Sequence, residues 1–436
     1  MKKGLIIFSL ATLCVTSQAQ EGWTLRQCID YAIEHNIEIQ QTANEAEQNA
    51  IEVNTAKWAR LPNLSGSAGQ NWSWGRSQSP KDNTYSDVNS GSTQFGLNTN
   101  VPLFTGLQLP NQYALSKLNL KAAIEDLNKA KEDIAINVTS SYLQVLFNME
   151  LSKVAASQTE LSKEQCKRII RLAEVGKASS EVAEAKARVA QDEMSLVQAE
   201  NNYQLALLDL SQLLELPTPE GFTLAQPDTV VNFAPLTAPD DIYTEALSNK
   251  PGIRAAQFRL EGSEKSIRIA QSNYYPQLSF GANLGTNFYT LNGSAEHSFG
   301  SQLKNNLNKG IGFNLSIPLF NRLATRNRVR SARLQQTNLA LKLDNTKKVL
   351  YKEIQQAWYN AVAAESKFNS STAAVAANEE SFRLMSEKFD NGKATFVEYN
   401  EAKQNLTKSV SDKIQAKYDY LFRTKILDFY KGKAIE

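Results

Sequence analysis

Two stretches of this chain, 107–174 and 321–389, hold more uninterrupted helical sequence than a compact domain can use. Beyond Pro110 neither stretch contains proline or glycine, and about 65 residues at 1.5 Å per residue extend about 100 Å. In the first stretch, apolar residues recur at the three-four spacing of a coiled-coil seam, namely at Leu120, Ile124, Leu127, Ile134, Val138 and Val145. The sequence therefore predicts long antiparallel coiled-coil helices.

The chain is also built twice. The segment AEVGKASSEVAEA at 173–185 returns as FDNGKATFVEYNE at 389–401, with Gly176 matching Gly392. Earlier positions match at one constant offset, with Ala246 for Ala32, Ile253 for Ile39, Pro276 for Pro62 and Leu278 for Leu64. A single helical hairpin has therefore been duplicated together with the segments that precede it.

We predict two structural repeats, 20–216 and 241–436, joined by a Pro-rich connector at 217–240. Each repeat reads as helix, strand, loop, strand, long helix, turn and helix. The helix after each turn covers only about half of the long helix, and a leading helix of about 35 residues makes up the difference. We expect each return rod to be two helices stacked end to end.

Four segments change to a period of two, which predicts β-strands at approximately 62–74, 92–104, 276–289 and 310–320. Each has apolar residues on one face and Gly, Ser or Asn on the other, as in a transmembrane β-barrel. A soluble sandwich also alternates and is the alternative. Aromatic side chains near the polar loops, at Trp72, Trp74, Phe288 and Tyr289, are typical of an interfacial aromatic belt and favour the membrane.

Four strands cannot close a barrel alone. Open edges in hydrocarbon would leave backbone groups unpaired, at a cost of several kcal/mol each. Several chains must therefore share one barrel, and the residues by themselves leave two, three or four chains open.

Charge and composition exclude several classes of function. The 47 basic and 45 acidic side chains give a net charge of +2, which removes the electrostatic basis for binding nucleic acid.

The first residues combine Lys2 and Lys3, an apolar stretch and a small residue at Ala19, which predicts a secretory signal peptide over 1–19. We expect Cys28 and Cys166 to be buried free thiols rather than a disulfide.

Enzymatic motifs are missing from the sequence. There is no HExxH, CxxC pair, GxSxG or phosphate-binding glycine loop, and His35 and His297 lie far apart. No catalytic residue, metal site or cofactor is predicted.

The order of these elements resembles the TolC family of outer-membrane efflux channels. Strands closing in Val101-Pro102-Leu103-Phe104 and Ile317-Pro318-Leu319-Phe320, and two Gly-Lys-Ala turns, carry the resemblance across essentially the whole mature chain. It implies a homotrimer in the outer membrane, with a shared 12-stranded transmembrane β-barrel and a periplasmic α-barrel of helices. It also implies two further partners, a periplasmic adaptor protein and an inner-membrane pump.

The resemblance further implies an exit duct for a tripartite efflux or type I secretion system, gated at the periplasmic helix tips. Two alternatives remain: a non-conducting coiled-coil scaffold of the envelope, and a self-contained diffusion porin. The sequence does not identify the transported substrate.

Glu398 and Glu401 occupy the positions at which the family carries two carboxylates around its closed periplasmic entrance. Residues three apart share one helical face, so three chains would place six carboxylates around a narrow axis. The alternative for Glu398 is a capping box with Thr395. The first repeat has Val182 and Ala185 at the matching places.

We expect both turn glycines, Gly176 and Gly392, to adopt the left-handed conformation that reverses the chain. By the resemblance, the adaptor would dock at these tips, near Lys177, Lys393 and Thr395, although an exposed lysine can simply be solvated. The spacing of four arginines predicts a single stripe along one helix, at Arg322, Arg326, Arg330 and Arg333. This stripe would either contact outer-membrane lipid headgroups or form a solvated face.

Overall fold

The computed structural model describes residues 22–78, 83–87, 89–174, 181–225, 235–292, 295 and 297–433. The predicted signal peptide, the turn residues Gly176 and Lys177, and residues 226–234 of the connector lie outside the described residues. Described residues of Met1–Gln41, Asn128–Lys250 and Val349–Glu436 form one compact unit, and those of Thr42–Leu127 and Pro251–Lys348 form the other.

Most of the described chain is helical. The helices are α1 (Leu25–His35), α2 (Ile37–Trp58), α3 (Gln108–Glu174), α4 (Glu181–Leu213), α5 (Pro239–Asn249), α6 (Pro251–Ser272), α7 (Phe299–Asn305), α8 (Ala324–Asp390) and α9 (Phe396–Tyr430). The two long helices α3 and α8 contain 67 residues each, as the uninterrupted sequence predicts. None of the described helices combines the length and the apolarity needed to cross a bilayer.

The leading helix of each copy is broken where the sequence predicted one continuous helix. Asn36 separates α1 from α2 and Lys250 separates α5 from α6, and both adopt extended backbone angles. Pro251 explains the second break, since the residue before a proline is disfavoured in the helical region. At the first break, the Asn36 side chain accepts hydrogen bonds from the amides of Glu38 and Ile39 at 3.0 and 3.3 Å. The two copies therefore make the same break by different chemistry.

The prediction of four long strands is confirmed. Strands β1 (Asn63–Ser73), β4 (Ser90–Phe104), β5 (Gln277–Leu291) and β6 (Asn308–Ser316) form an antiparallel sheet in the order β1-β4-β5-β6. Within the first loop, β2 (Arg76–Gln78) and β3 (Tyr85–Asp87) form a small hairpin that the sequence did not predict. The last strand ends at Ser316 rather than at Phe320, before Pro318, which has no N–H to donate to a neighbouring strand.

The pairing register gives the sheet one apolar and one polar face. Gly66, Leu97 and Leu284 lie in one row across three strands, and the Phe280 ring packs 5.3 Å from its cross-strand neighbour Phe313. The opposite face is lined by Ser, Asn, Gln and Gly, including the row Ser65, Asn98, Asn283 and Gly310. Alternation along a strand explains this division.

The apolar face has no covering layer in the described part of the chain. Ile311 is 81% exposed and Phe313 is 73% exposed, and the only other described sheet is the hairpin of β2 and β3. A soluble sandwich would bury these side chains against a second sheet. The described part of the chain therefore does not form a sandwich.

Helix α7 covers the part of the β5 edge that β6 does not reach. Strand β6 begins at Asn308, opposite Gly285, and from there outward β5 would lack a neighbour. The Tyr289 amide donates to Gln302 Oε1 at 3.0 Å, and Gln302 Nε2 donates to the Tyr289 carbonyl at 3.0 Å. The Thr286 hydroxyl donates to the Leu303 carbonyl at 2.7 Å. One buried side-chain amide thus replaces a strand residue.

Replacing Gln302 with alanine is expected to leave the amide and carbonyl of Tyr289 without these partners. Each unpaired buried backbone group costs about 1–3 kcal/mol, so protection of the Tyr289 amide from hydrogen exchange should fall. Asn305→Ala, an exposed position on the same helix, is the matched control. Unchanged protection in Gln302→Ala would contradict the role of α7 as an edge cover.

Candidate functional site

The turn between α8 and α9 is organised by one glycine. Gly392 has φ +67°, which confirms the predicted left-handed conformation. Its amide donates to the Phe389 carbonyl at 3.0 Å, and the Lys393 amide donates to the Lys388 carbonyl at 2.8 Å. These bonds satisfy the last carbonyls of α8 and reverse the chain.

Helix α9 then begins with the predicted capping box. The Glu398 amide donates to Thr395 Oγ1 at 3.2 Å, while Glu398 Oε2 accepts from the Thr395 amide at 2.8 Å and from its hydroxyl at 2.9 Å. These hydrogen bonds, first that from the Thr395 backbone, lower the pKa of the Glu398 carboxyl. The capping role proposed for Glu398 is therefore present in the structure.

An apolar core fixes the rotation of α9. Phe396 and Tyr399 are buried together with residues of α3 and α4, and the Phe389 ring stacks on Tyr399 at 4.9 Å. Burial raises the pKa of Tyr399 to about 12. With Phe396 and Tyr399 held inside, the side chains of Glu398 and Glu401 are exposed on the other side of the helix.

The matching positions of the first copy face the opposite way. Ala185 is buried in this same core and Val182 packs against it. The duplicated turn therefore does not produce two equivalent helix faces, and only the second copy presents carboxylates to solvent at these positions.

Both predicted free thiols are present and buried. Cys166 belongs to the apolar core beside α9. Cys28 lies on α1 and is buried, and burial raises the pKa of its thiol to about 12. Neither cysteine is placed to act as a nucleophile.

A buried charged cluster joins three helices and was not predicted. Lys403 of α9 donates to Ser162 Oγ of α3 at 2.7 Å and lies 3.8 Å from Asp192 Oδ2 of α4. Arg188 Nη2 lies 3.1 Å from Asp192 Oδ1. The sequence signals only the Arg188 and Asp192 pair, four apart on one helix, because the lysine is far away along the chain.

The predicted aromatic belt is divided between two faces of the sheet. The register places Trp72 and Phe288 on the apolar face, but Tyr289 lies in the row of Asn71 and Ser92 on the polar face. Trp74 follows the end of β1 and is 74% exposed. Grouping Tyr289 with the other three was wrong, since neighbouring residues of a strand point to opposite faces.

The predicted arginine stripe is shorter than expected. Arg322 precedes α8 and has φ +53°, so it lies in a turn and not on the helix. Arg326, Arg330 and Arg333 lie on α8 and are exposed.

The described residues contain no group of His, Cys, Asp and Glu that would hold a metal ion.

Comparison with known proteins gives one consistent result. The family model described as "Outer membrane efflux protein" matches residues 28–215 and 242–430, which correspond to the two copies. The chain is 23% identical over 435 residues to the outer membrane protein TolC of Escherichia coli, covering 97% of this chain and 84% of that protein.

Solved structures have the same fold. The outer membrane channel CmeC of Campylobacter jejuni has a TM-score of 0.79 at 20% identity, covering 93% of this chain and 84% of that chain. The outer membrane protein VceC of Vibrio cholerae has a TM-score of 0.78 at 17% identity, covering 94% and 97%.

The capping box separates the local role of Glu398 from its charge. Thr395→Ala should weaken the start of α9 by about 1 kcal/mol, because the Glu398 amide loses its acceptor. Glu398→Gln should retain the cap, since a glutamine amide oxygen can accept from the Thr395 amide. Hydrogen exchange at the first turn of α9 is expected to quicken strongly in Thr395→Ala and only slightly in Glu398→Gln, which keeps an acceptor but loses the charge.

The depressed pKa of Glu398 also fixes the sign of a pH effect. The contribution of its carboxylate to the cap is fully present above the ordinary glutamate pKa and is lost as pH falls through the lower folded value. Acidification should therefore loosen the first turn of α9 in the wild type and not in Glu398→Gln. An equal acid response in both proteins would be evidence against this role.

Proposed function

Because the chain belongs to the outer membrane efflux protein family, we propose that it is a passive exit duct of a tripartite efflux or type I secretion system. It lies in the outer membrane, as its relatives do. The observation that carries the proposal is the family match across both copies. Substrate would pass through the duct with energy supplied elsewhere, since the sequence has no nucleotide-binding motif.

The open sheet supports assembly into a homotrimer. Among the residues that the structure describes, strands β1 and β6 each pair on one side only. Three copies would supply twelve strands and close the edges that hydrocarbon cannot tolerate. In such a barrel the exposed Ile311 and Phe313 would face lipid, and the Ser, Asn and Gly face would line water.

The face of α9 that carries Glu398 and Glu401 supports a gate. Both side chains are exposed, and the capping box keeps Glu398 in its charged form. In a trimer, six carboxylates around a narrow axis would attract cations and repel anions. The same residue then serves in the cap and in the gate, and the two roles are compatible.

The helix tips are the proposed docking place of a periplasmic adaptor protein, which would couple the duct to an inner-membrane pump. Gly392, Lys393 and Thr395 are exposed there. Gly176 and Lys177 of the first copy belong to the same proposal. The two competing functions fit less well: a scaffold needs no apolar sheet face, and a diffusion porin needs no 67-residue helices.

Single-channel recording in planar lipid bilayers tests the duct and its gate together. The double variant Glu398→Gln, Glu401→Gln should show reduced cation selectivity and weaker block by multivalent cations, because six negative charges are removed without loss of the caps. Glu379→Gln, an exposed acidic position on α8, is the control. Unchanged conductance and block in the double variant would refute the gate, and a wild-type protein without any conductance would favour the scaffold.

Contact with outer-membrane lipid is proposed for the three arginines that lie on α8. Anionic headgroups attract exposed arginines near a membrane surface, by about 1 kcal/mol each. Replacing Arg326, Arg330 and Arg333 together with glutamine should reduce insertion of the barrel into anionic vesicles. Normal insertion and normal stability of this variant would leave the arginines as a solvated face.

A further inference from the structure

The buried cluster at Lys403 has no part in the duct as proposed. Lys403 is 2% exposed and Asp192 is 4% exposed, and they join α9 to α4. Lys403 Nζ also donates to the Gln158 carbonyl at 3.3 Å, and the Ser162 hydroxyl donates to Asp192 Oδ2. Polar contacts therefore hold α9 against both α3 and α4 at one point.

Some hydrogen-bond donors of this cluster share one acceptor group or lack an acceptor. One carboxylate, that of Asp192, serves Lys403, Arg188 and Ser162. Gln158 Nε2 and Arg188 Nε are buried and find no acceptor among the residues that the structure describes. Buried donors without acceptors raise the free energy of the packed state, and so does a buried cation.

The lysine itself is destabilised in its charged form. Burial lowers the pKa of Lys403 to about 8, and the attraction of Asp192 offsets this only in part. The charged groups that face Lys403 are Asp192 and Arg188 of α4, while α3 presents the uncharged Ser162 and Gln158. At neutral pH the ammonium is still protonated, so its burial continues to oppose the packing of α9.

The cluster lies close to the proposed gate. Lys403 follows Glu401 by two residues on α9, with its side chain buried where that of Glu401 is exposed. A shift of α9 away from α3 and α4 would return the ammonium to water and would move Glu398 and Glu401 with the helix. The free energy of this cluster is therefore coupled to the position of both carboxylates.

We propose that Lys403 is a positioning residue of the gate, which makes the packing of α9 on α3 and α4 marginally stable, while Asp192 is the counter-charge that keeps the packed state populated. The inference rests on the proposed gate at Glu398 and Glu401. It assigns opposite effects to the two partners of one ion pair, whereas a simple stabilising salt bridge would give both the same effect.

The sign of each effect follows from what a substitution leaves behind. Lys403→Met removes the buried cation and leaves Asp192 with Arg188 and Ser162, so the packed state should become more stable. Asp192→Asn leaves Lys403 and Arg188 buried without their counter-charge, and breaking a buried pair in this way is strongly destabilising.

Two measurements on the full-length protein test the proposal. In planar bilayers, Asp192→Asn should raise the open fraction of the channel by about tenfold or more, and Lys403→Met should lower it. Hydrogen exchange of the amides of 396–403 should quicken in the first variant and slow in the second. Exposed positions on the same helices provide matched controls, Lys408→Met on α9 and Glu200→Gln on α4, and both should behave as wild type.

Effects of equal sign in the two variants, or equal effects in the controls, would overturn the proposal. If Asp192→Asn does not fold, Lys403→Met decides alone, since faster exchange or a higher open fraction would contradict it. Hydrogen exchange also separates this inference from the proposed function. Opposite exchange changes with no channel activity in any variant would reject the duct and its gate and leave only the opposite effects of Lys403 and Asp192 on the packing of α9. A conducting wild type without those exchange changes would retain the duct and reject the role of Lys403.

Discussion

The structure depends first on the hydrogen-bonding groups at the two open edges of a four-stranded sheet. Within the described residues, strands β1 and β6 each have an unpaired side, and the sheet presents one apolar face to its surroundings. In water, the apolar face would drive aggregation, and in lipid the edges would leave backbone groups unpaired. Both problems disappear when further copies continue the sheet into a closed barrel. The sheet of a single chain is therefore open, and the proposed trimer would close it with copies of the same chain.

At one place the chain itself pairs an open strand edge. Strand β6 does not extend along the outer part of β5, and there the Gln302 side chain of α7 forms hydrogen bonds with the backbone of Tyr289. Strand edges are thus paired by strands in one part of the sheet and by a side-chain amide in another. A loop that reads as merely polar carries this contact, because glutamine supplies both a donor and an acceptor on one planar group.

At the helix tips, duplication and asymmetry have separate causes. The turn at Gly392 reflects local backbone chemistry, a left-handed glycine followed by a new helix. The rotation of each new helix about its own axis is set by which of its residues are buried in the shared core. Ala185 enters it in the first copy, whereas Phe396 and Tyr399 enter it in the second, and this leaves Glu398 and Glu401 outside. A gate would need such asymmetry, since two carboxylate-bearing helices per chain would double the number of negative charges around one axis and more than double their mutual repulsion.

The sequence by itself determined whatever depends on neighbours along the chain. Helix length, strand alternation, the left-handed Gly392 and the Thr395 capping box all follow from residues a few positions apart, and each of these features was predicted. The duplication was also predicted, because two segments of the sequence match position by position. Even the failures of local prediction have local reasons, as Asn36 and Pro251 show at the two helix breaks.

Only the tertiary structure decided which distant residues meet. The cluster of Lys403 with Ser162 and Asp192, the contact of α7 with β5 and the opposite rotations of the two tip helices each join residues that no sequence period relates. The cost of burying Lys403 depends on how many acceptors the packing brings to it, and that number is fixed in space and not along the chain.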